Sequence, residues 1–348
     1  MTPAGIRRYR RVMLVLTLML VGSVLVAAAV GAVWISPWTT IRVFAWKLHL
    51  TGRPPDVSRA AEVIVLQLRA PRVLLAVLVG AGLGASGLMF QGLFRNPLAD
   101  PAIIGVSSGA ALAAIVVIVA GAGAAAGGLL VSAAAFIGAL VTAFLVYRLA
   151  RIGPVVQVAT LLLAGIAVAA AISSVMSLVM SFAGEQIRSI YFWLLGGLSA
   201  RGWSSVEAVV PFLLVGIACA TFLVRDLNLM ALGEERAAQL GVDVAVFKRN
   251  AIAVGALLAA AAVSVAGVIG FVGLMTPHVL RLFVGADHRR LLPAVLVGGA
   301  IFMVLADLVA RTALAPEELP LGAVTALIGA PFFLWLLRRE HGRSLRGV

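Results

Sequence analysis

The sequence predicts an all-α polytopic membrane protein of about ten transmembrane helices in two weakly related halves, folded as one domain over residues 1–348. Three observations lead there. Of 348 residues, 62% are hydrophobic and only 12% charged, with a mean hydropathy of +1.11, whereas soluble domains run nearer half apolar and a quarter charged. The apolar residues fall into runs close to the ~20 residues that cross a bilayer. The arginines collect at the ends of those runs, where they anchor to headgroups and set orientation.

The same figures exclude other classes. Disorder needs low hydrophobicity, and the single cysteine, Cys219, rules out a disulfide framework or a thiolate metal cluster. A net charge of +13 would suggest nucleic acid in a soluble chain. No segment interleaves basic and aromatic residues here, so lipid is the expected partner and nucleic acid is not.

Taken in order, the expected spans are 12–33, 73–93, 103–122, 128–147, 155–182, 206–224, 250–268, 269–284, 291–310 and 319–337. The first follows Arg7, Arg8, Arg10 and Arg11 and is too long for a signal-peptide core, so it reads as an uncleaved span. An even number of spans puts both termini on one side. With cytoplasmic termini, the inner connections hold 18 basic residues and the outer ones nine, which the positive-inside rule favours.

Three segments depart from plain spans. Residues 34–72 are mixed in polarity, contain Pro37, Pro54 and Pro55, and are expected as an external elaboration. The run Arg95-Asn96-Pro97-Leu98-Ala99-Asp100-Pro101 breaks an otherwise apolar stretch, because proline neither donates to a helix nor fits inside one. Residues 250–284 are punctuated by Gly267, Gly270, Gly273 and Pro277. Broken backbone at membrane depth survives only inside protein or along a water-filled path, so it points to transport. An echo of Gly87 and Phe90-Gln91-Gly92-Leu93 in Gly267 and Phe271-Val272-Gly273-Leu274 suggests the internal repeats common in transporters.

Enzymatic motifs are missing. There is no GxxxxGK[ST] loop to hydrolyse ATP, no HExxH, and His49, His278, His288 and His341 are scattered. An intramembrane enzyme would need convergent Ser and His that the sequence does not identify. Asp307 stands four residues before Arg311, on one helix face. It reads either as a proton relay or buried ion pair, or as a helix-end pair near the interface, the blander expectation. A proton-coupled carrier usually needs more than one such group, so secondary transport is the second class. Ser173, Ser177 and Ser181, with Met176 and Met180 beside them, read equally as a mildly polar wall for a large substrate or as hydroxyls bonded to their own helix.

The longest polar stretch, 225–249, is expected in the cytoplasm. Within it Gly233-Glu234-Glu235-Arg236-Ala237-Ala238-Gln239-Leu240-Gly241 reads as a short helix between glycines, its carboxylates at the positive end of the helix dipole. Too short to stand alone, it is either a solvated loop or a docking helix for a soluble partner.

Several runs resemble the FecCD type of permease from ATP-binding-cassette importers of iron–siderophore complexes, haem and vitamin B12. They are Arg69-Ala70-Pro71-Arg72, Gln91 through Pro101, Gly105-Val106-Ser107-Ser108-Gly109-Ala110, Leu161-Leu162-Leu163-Ala164-Gly165 and Ala231-Leu232-Gly233-Glu234. Later come Gly273-Leu274-Met275-Thr276-Pro277-His278, Asp287-His288-Arg289, Ala306 through Arg311, and Glu318-Leu319-Pro320-Leu321-Gly322.

The resemblance implies ten helices per subunit and two permease subunits, as a homodimer or an unlike pair, around a central pathway. Two ATPase subunits carrying ATP and Mg would lie below, and a periplasmic or lipid-anchored binding protein above. The permease itself would hold no cofactor or metal and would sit in the inner membrane. The resemblance makes Leu232, Gly233, Glu234, Glu235, Arg236 and Gln239 part of the ATPase-coupling loop. It matches Arg69, Arg72 and Arg311 to arginines that dock the binding protein, and Asn96, Leu98 and Leu163 to positions that narrow the cytoplasmic end of the pathway. With Ser173, Ser177 and Met180, these last form the expected pathway wall. An iron chelate is the expected cargo, with cobalamin the alternative.

Overall fold

The computed structural model describes residues 3–344 except 32, 53–56, 124–127 and 154; Pro54 and Pro55 lie outside the described residues. It is a helical bundle. The spans are α1 (Pro3–Ala29), α4 (Ala70–Phe94), α5 (Val106–Val119), α6 (Leu129–Ala150), α7 (Val158–Met180), α9 (Trp203–Met230), α11 (Val244–Ala266), α12 (Val272–Val284), α13 (His288–Thr312) and α14 (Leu321–Ser344). Between them stand the short helices α2 (Pro37–Lys47), α3 (Arg59–Val63), α8 (Ile187–Leu194) and α10 (Glu234–Gln239). Among the described residues, seven helices are long and apolar enough to cross a membrane, and α5, α12 and the apolar part of α14 are shorter. Each of the ten expected spans falls on one of these.

Several boundaries differ from expectation for physical reasons. The second span begins at Arg59, because α3 runs through a π-helical turn, Ile64–Arg69, directly into α4. In that turn the Ala70 N–H reaches back five residues to the Val65 carbonyl, and Pro71, next in line, has no N–H to give. With α2, most of the expected external elaboration is therefore helix. At the other end of the sequence window, α9 runs six residues past residue 224 and α11 starts at Val244, so only 231–243 of the polar stretch stands between spans. The amphipathic α8 and a two-residue hairpin pairing Arg151-Ile152 with Val155-Val156 were not expected.

α4 and α11 form the centre, with 78% of their apolar windows buried, against 22% for α1 and 11% for α7. Small residues allow that density. A Cβ on Gly80 would lie 2.2 Å from the Gly299 carbonyl of α13, and one on Gly87 would lie 1.9 Å from the Gly273 carbonyl of α12. The two glycine-rich segments that echo each other in sequence are thus packed against one another. Gly87→Ala is expected to force α4 from α12 and cost about 1–3 kcal/mol as overpacking. Thermal melting of the purified protein checks this, with Gly22→Ala, which meets nothing within 4 Å, as the control that should not fall.

The expected break between α11 and α12 is present. Gly267 leaves the helix at φ +71° and Phe271 opens α12 at φ +69°. Protein takes up a carbonyl at the break, where the Gly197 N–H donates to the Ala266 carbonyl at 2.8 Å, and the adjoining 195–197 segment is itself held by Leu321 and Gly322, which donate to the Gly196 and Leu195 carbonyls at 3.1 and 3.0 Å. That is the condition for irregular chain at membrane depth.

Candidate functional site

The contacts sort the candidate residues to two ends of the bundle and one flank. At the first end, the α1 C-terminus meets the π-turn and the last turns of α13. Arg69 donates to the Ala28 carbonyl at 3.1 Å and to those of Ala29 and Val33, and Arg311 donates to the Ala27 carbonyl. Two cations therefore cap carbonyls that α1 cannot satisfy itself and oppose its dipole. Arg72 forks onto Asp307, Nη2 to Oδ1 at 2.9 Å and Nε to Oδ2 at 3.1 Å, and reaches Glu318 at 2.7 Å. Arg311 Nε lies 3.6 Å from Asp307 Oδ2.

Asp307 is 1% exposed, so the Asp307–Arg311 spacing belongs to a buried network and not to an interfacial pair. Arg69 and Arg311 are each 6% exposed. All three docking candidates stand together at one end, but their guanidinium groups are turned inward. An accessible charge among them is Glu318, which the motif Glu318-Leu319-Pro320-Leu321-Gly322 contains without spacing giving it a role. Ser199 donates to Glu318. A cavity of about 520 Å³ opens beside them, lined by Arg69, Arg72, Arg201, Arg311 and Glu318.

Burial alone would raise the Glu318 carboxyl, but hydrogen bonds from Arg72 and Ser199 and the charges of Arg72 and Arg311 hold it below its ordinary 4.5. A lowered native value stabilises the fold above the unfolded titration and loses that contribution as pH falls through the native one. The wild type is therefore expected to soften on acidification below about pH 4.5, and Glu318→Gln to start less stable and lose part of that dependence. Melting temperature against pH measures it.

At the opposite end stand the start of α1, the α9 C-terminus, the α12–α13 corner, the hairpin and α10. Tyr9 lies under Arg290, and Asn228 donates to Asp287 at 2.8 Å while accepting from the His288 N–H. Gly233 caps the start of α10, and its φ of +109° suits only glycine. Ala237 is fully buried, while Leu232, Glu235, Arg236, Gln239 and Leu240 are exposed. Glu234 faces inward and takes a 2.7 Å bond from Lys248 of α11, whose Nζ also donates to the Val156 carbonyl. Nothing in sequence spacing announces Lys248, which is 3% exposed in an apolar helix.

The break at Arg95–Pro101 adjoins this end, with Arg95 Nη1 3.8 Å from the position a Cβ on Gly233 would take. Asn96 Oδ1 accepts from the Leu98 N–H and Asp100 Oδ1 from the Ala102 N–H, two side-chain turns that hold the kink. Asn96 is exposed and Leu98 half-buried.

The flank is α7. Leu163 is 68% exposed, joined by Ile166, Val175 and Leu178, and Ser173 and Ser177 lie on the exposed surface with Met180 half-buried. Ser177 donates to the Ser173 carbonyl at 3.0 Å, and Ser174 and Ser181 bond back to their own helix in the same way. These hydroxyls are satisfied within α7, so the wall they leave is greasy with small polar points.

A broken-helix bundle, with a short helix displayed at one end, a charged rim at the other and a large uncovered apolar flank, defines a membrane-spanning transport permease. Residues 16–339 match the FecCD transport family, and the chain belongs to that family, whose members are permease subunits of ATP-binding-cassette importers. It is 48% identical to the cobalamin import system permease protein BtuC of Halobacterium salinarum, over 89% of this chain and 81% of that one. It is 43% identical to the hemin transport system permease protein HmuU of Yersinia pestis, over 80% and 84%. The Fe(3+)-citrate import system permease protein YfmE of Bacillus subtilis is 36% identical over 94% of both. Among solved structures, one described as an inward-facing conformation of a metal-chelate type ABC transporter superposes with a TM-score of 0.81 at 32% identity, covering 95% of this chain and 99% of that one.

Proposed function

We propose that this permease pairs with a second copy across the α7 flank, carries two ATPase subunits at the α10 end, and receives an iron chelate, siderophore or haem, from a binding protein at the Arg72–Glu318 end. Both termini and α10 then face the cytoplasm of a cell whose inner membrane holds the complex. One observation carries this reading: α10, pinned from inside through Glu234 and Ala237, displays Leu232, Glu235, Arg236, Gln239 and Leu240 outward.

ATP and Mg belong to the partner ATPase, whose closed dimer ATP favours by differential affinity. Motion of α10 passes to α11 through Lys248, and to the Asn96–Leu98 kink through its neighbour Arg95. With Leu163, that kink forms the inner constriction of the pathway. Ser173, Ser177 and Met180 line it without charges, which suits a bulky cargo already selected by the binding protein. At the outer end, a partner carboxylate would compete with Glu318 for Arg72. Arg69 and Arg311 take part by fixing the end of α1 around that site, and exposed charges there steer approach.

Cobalamin is the second reading, favoured by the 48% identity to a cobalamin import permease. Uptake of labelled ferric siderophore, haem and cobalamin, each tested separately in a deletion host, decides between them. Loss of one ligand, restored by the wild-type gene, names the cargo. Uptake by the permease alone in liposomes, driven by a proton gradient and indifferent to ATP, would overturn the importer reading.

A further inference from the structure

We infer that the groove between α1, α12 and α13 is a binding site for one anionic phospholipid, its acyl chain in the groove and its phosphate on Arg7 and Arg11. The cavity holds about 580 Å³. Its walls are carbon almost throughout: Val12, Val15 and Met19 of α1, Phe283 of α12, and Ile301 and Leu305 of α13. From Arg11 to Met19 the groove follows α1 for about 12 Å at 1.5 Å per residue, an elongated shape that takes the upper part of an acyl chain rather than a compact solute.

Arg11 closes one end of it, and a second hollow at that end is lined by Arg7, Arg8, Arg11 and Val12. Arg7 and Arg11 are exposed, at i and i+4 on one helix face, and Arg8 donates to the Leu282 carbonyl at 3.4 Å, which fixes this end of α1 against α12. The charge is one-sided, since among the described residues no acidic side chain lines either hollow. Basic hollows between membrane helices at headgroup level select anionic lipids.

Two other occupants fit less well. Water finds few polar partners along walls whose polar side chains are Thr276 and Arg11. A second copy of the chain, docked on this face by a two-fold axis, would present the same patch to itself and bring arginines toward arginines. The bilayer supplies the one abundant molecule with a long apolar part and a phosphate at the right depth.

Native mass spectrometry of the full-length permease, released from membranes containing phosphatidylglycerol and phosphatidylcholine, tests this without reading transport. The wild type is expected to keep about one phosphatidylglycerol per chain, at least fivefold over phosphatidylcholine. Arg7→Gln/Arg11→Gln should erase that preference while Arg8 still seats α1. Leu305→Trp, which fills the groove, should lose the bound lipid. Equal retention of both lipids by the wild type would overturn the proposal, as would an unchanged preference in the double variant. So would full retention in Leu305→Trp; if that variant misfolds, Val15→Trp from the opposite wall replaces it.

Discussion

Replacing Lys248 by methionine is expected to lower transport about tenfold while the permease still folds and still recruits its ATPase. Lys248 is 3% exposed and its ammonium holds Glu234 at 2.7 Å and the Val156 carbonyl at 3.1 Å. It therefore ties three pieces at one point: the displayed helix α10, the central helix α11, and the hairpin that leads into α7. A hydrogen bond to a charged partner contributes about 1.5–3 kcal/mol. Because the Glu234 side chain is 38% exposed, the discounted value is nearer ~1–2 kcal/mol.

That is a modest part of the stability of the whole bundle but decisive for α10. Six residues make no stable helix alone, so its position depends on Lys248 and on buried Ala237. Loosening it leaves the ATPase a mobile handle. Hydrolysis should continue while transport per ATP drops, and Glu234→Gln should behave alike. The double variant Lys248→Met/Glu234→Gln should be no worse than either single one, since both remove the same contact. Transport and hydrolysis measured together in proteoliposomes test this. Wild-type coupling in Lys248→Met would mean that Ala237 packing alone holds α10.

The contrast with Glu235 sharpens the assignment. Glu234 and Glu235 are neighbours in sequence and look equivalent at the start of a short helix. The fold separates them, since a helix turns ~100° per residue: Glu234 turns toward Lys248 and Glu235 toward solvent. Of the two, Glu235, with Leu232, Arg236, Gln239 and Leu240, is the more open to a partner.

What the sequence made legible follows from how the bilayer acts on a chain. The ten apolar runs declare themselves because length and hydropathy are local properties. The break at Gly267–Gly270 does too, because glycine and proline punctuate backbone wherever they stand. The beginning of the second span does not: Arg59–Arg69 is helical through a π-turn, and its Arg69 caps another helix 40 residues away. Charged residues look like loop in a local window and become helix only through such distant partners. Arg69, Arg72 and Arg311 stand together at one end of the bundle. Their inward geometry, with Asp307 between Arg72 and Arg311, is a matter of which atoms face which, and spacing carries no record of that. Lys248 and Glu318 belong to the same class, residues whose roles are set by pairs 14 and 246 positions apart.

Asp307→Asn is expected to destabilise the protein far more than it slows each folded molecule. The carboxylate is 1% exposed and lies between Arg72 and Arg311, and Arg311 and Arg69 hold the end of α1. Removing its charge leaves two cations facing each other in a low-dielectric site. Breaking a buried pair from one side costs about 3–5 kcal/mol, and the lower figure applies because Glu318 still holds Arg72. Yield and melting temperature should fall sharply, with α1 the first element to loosen. Asp307→Leu/Arg72→Met/Arg311→Met should recover part of the loss, because exchanging a whole buried ionic group for apolar residues is often neutral or stabilising. Transport per folded Asp307→Asn molecule should stay within a few-fold of wild type and remain driven by ATP. A variant with normal melting and no transport would reverse the conclusion. Asp307 would then be moving protons, as a secondary carrier requires, and the ion-pair network would be incidental to that task.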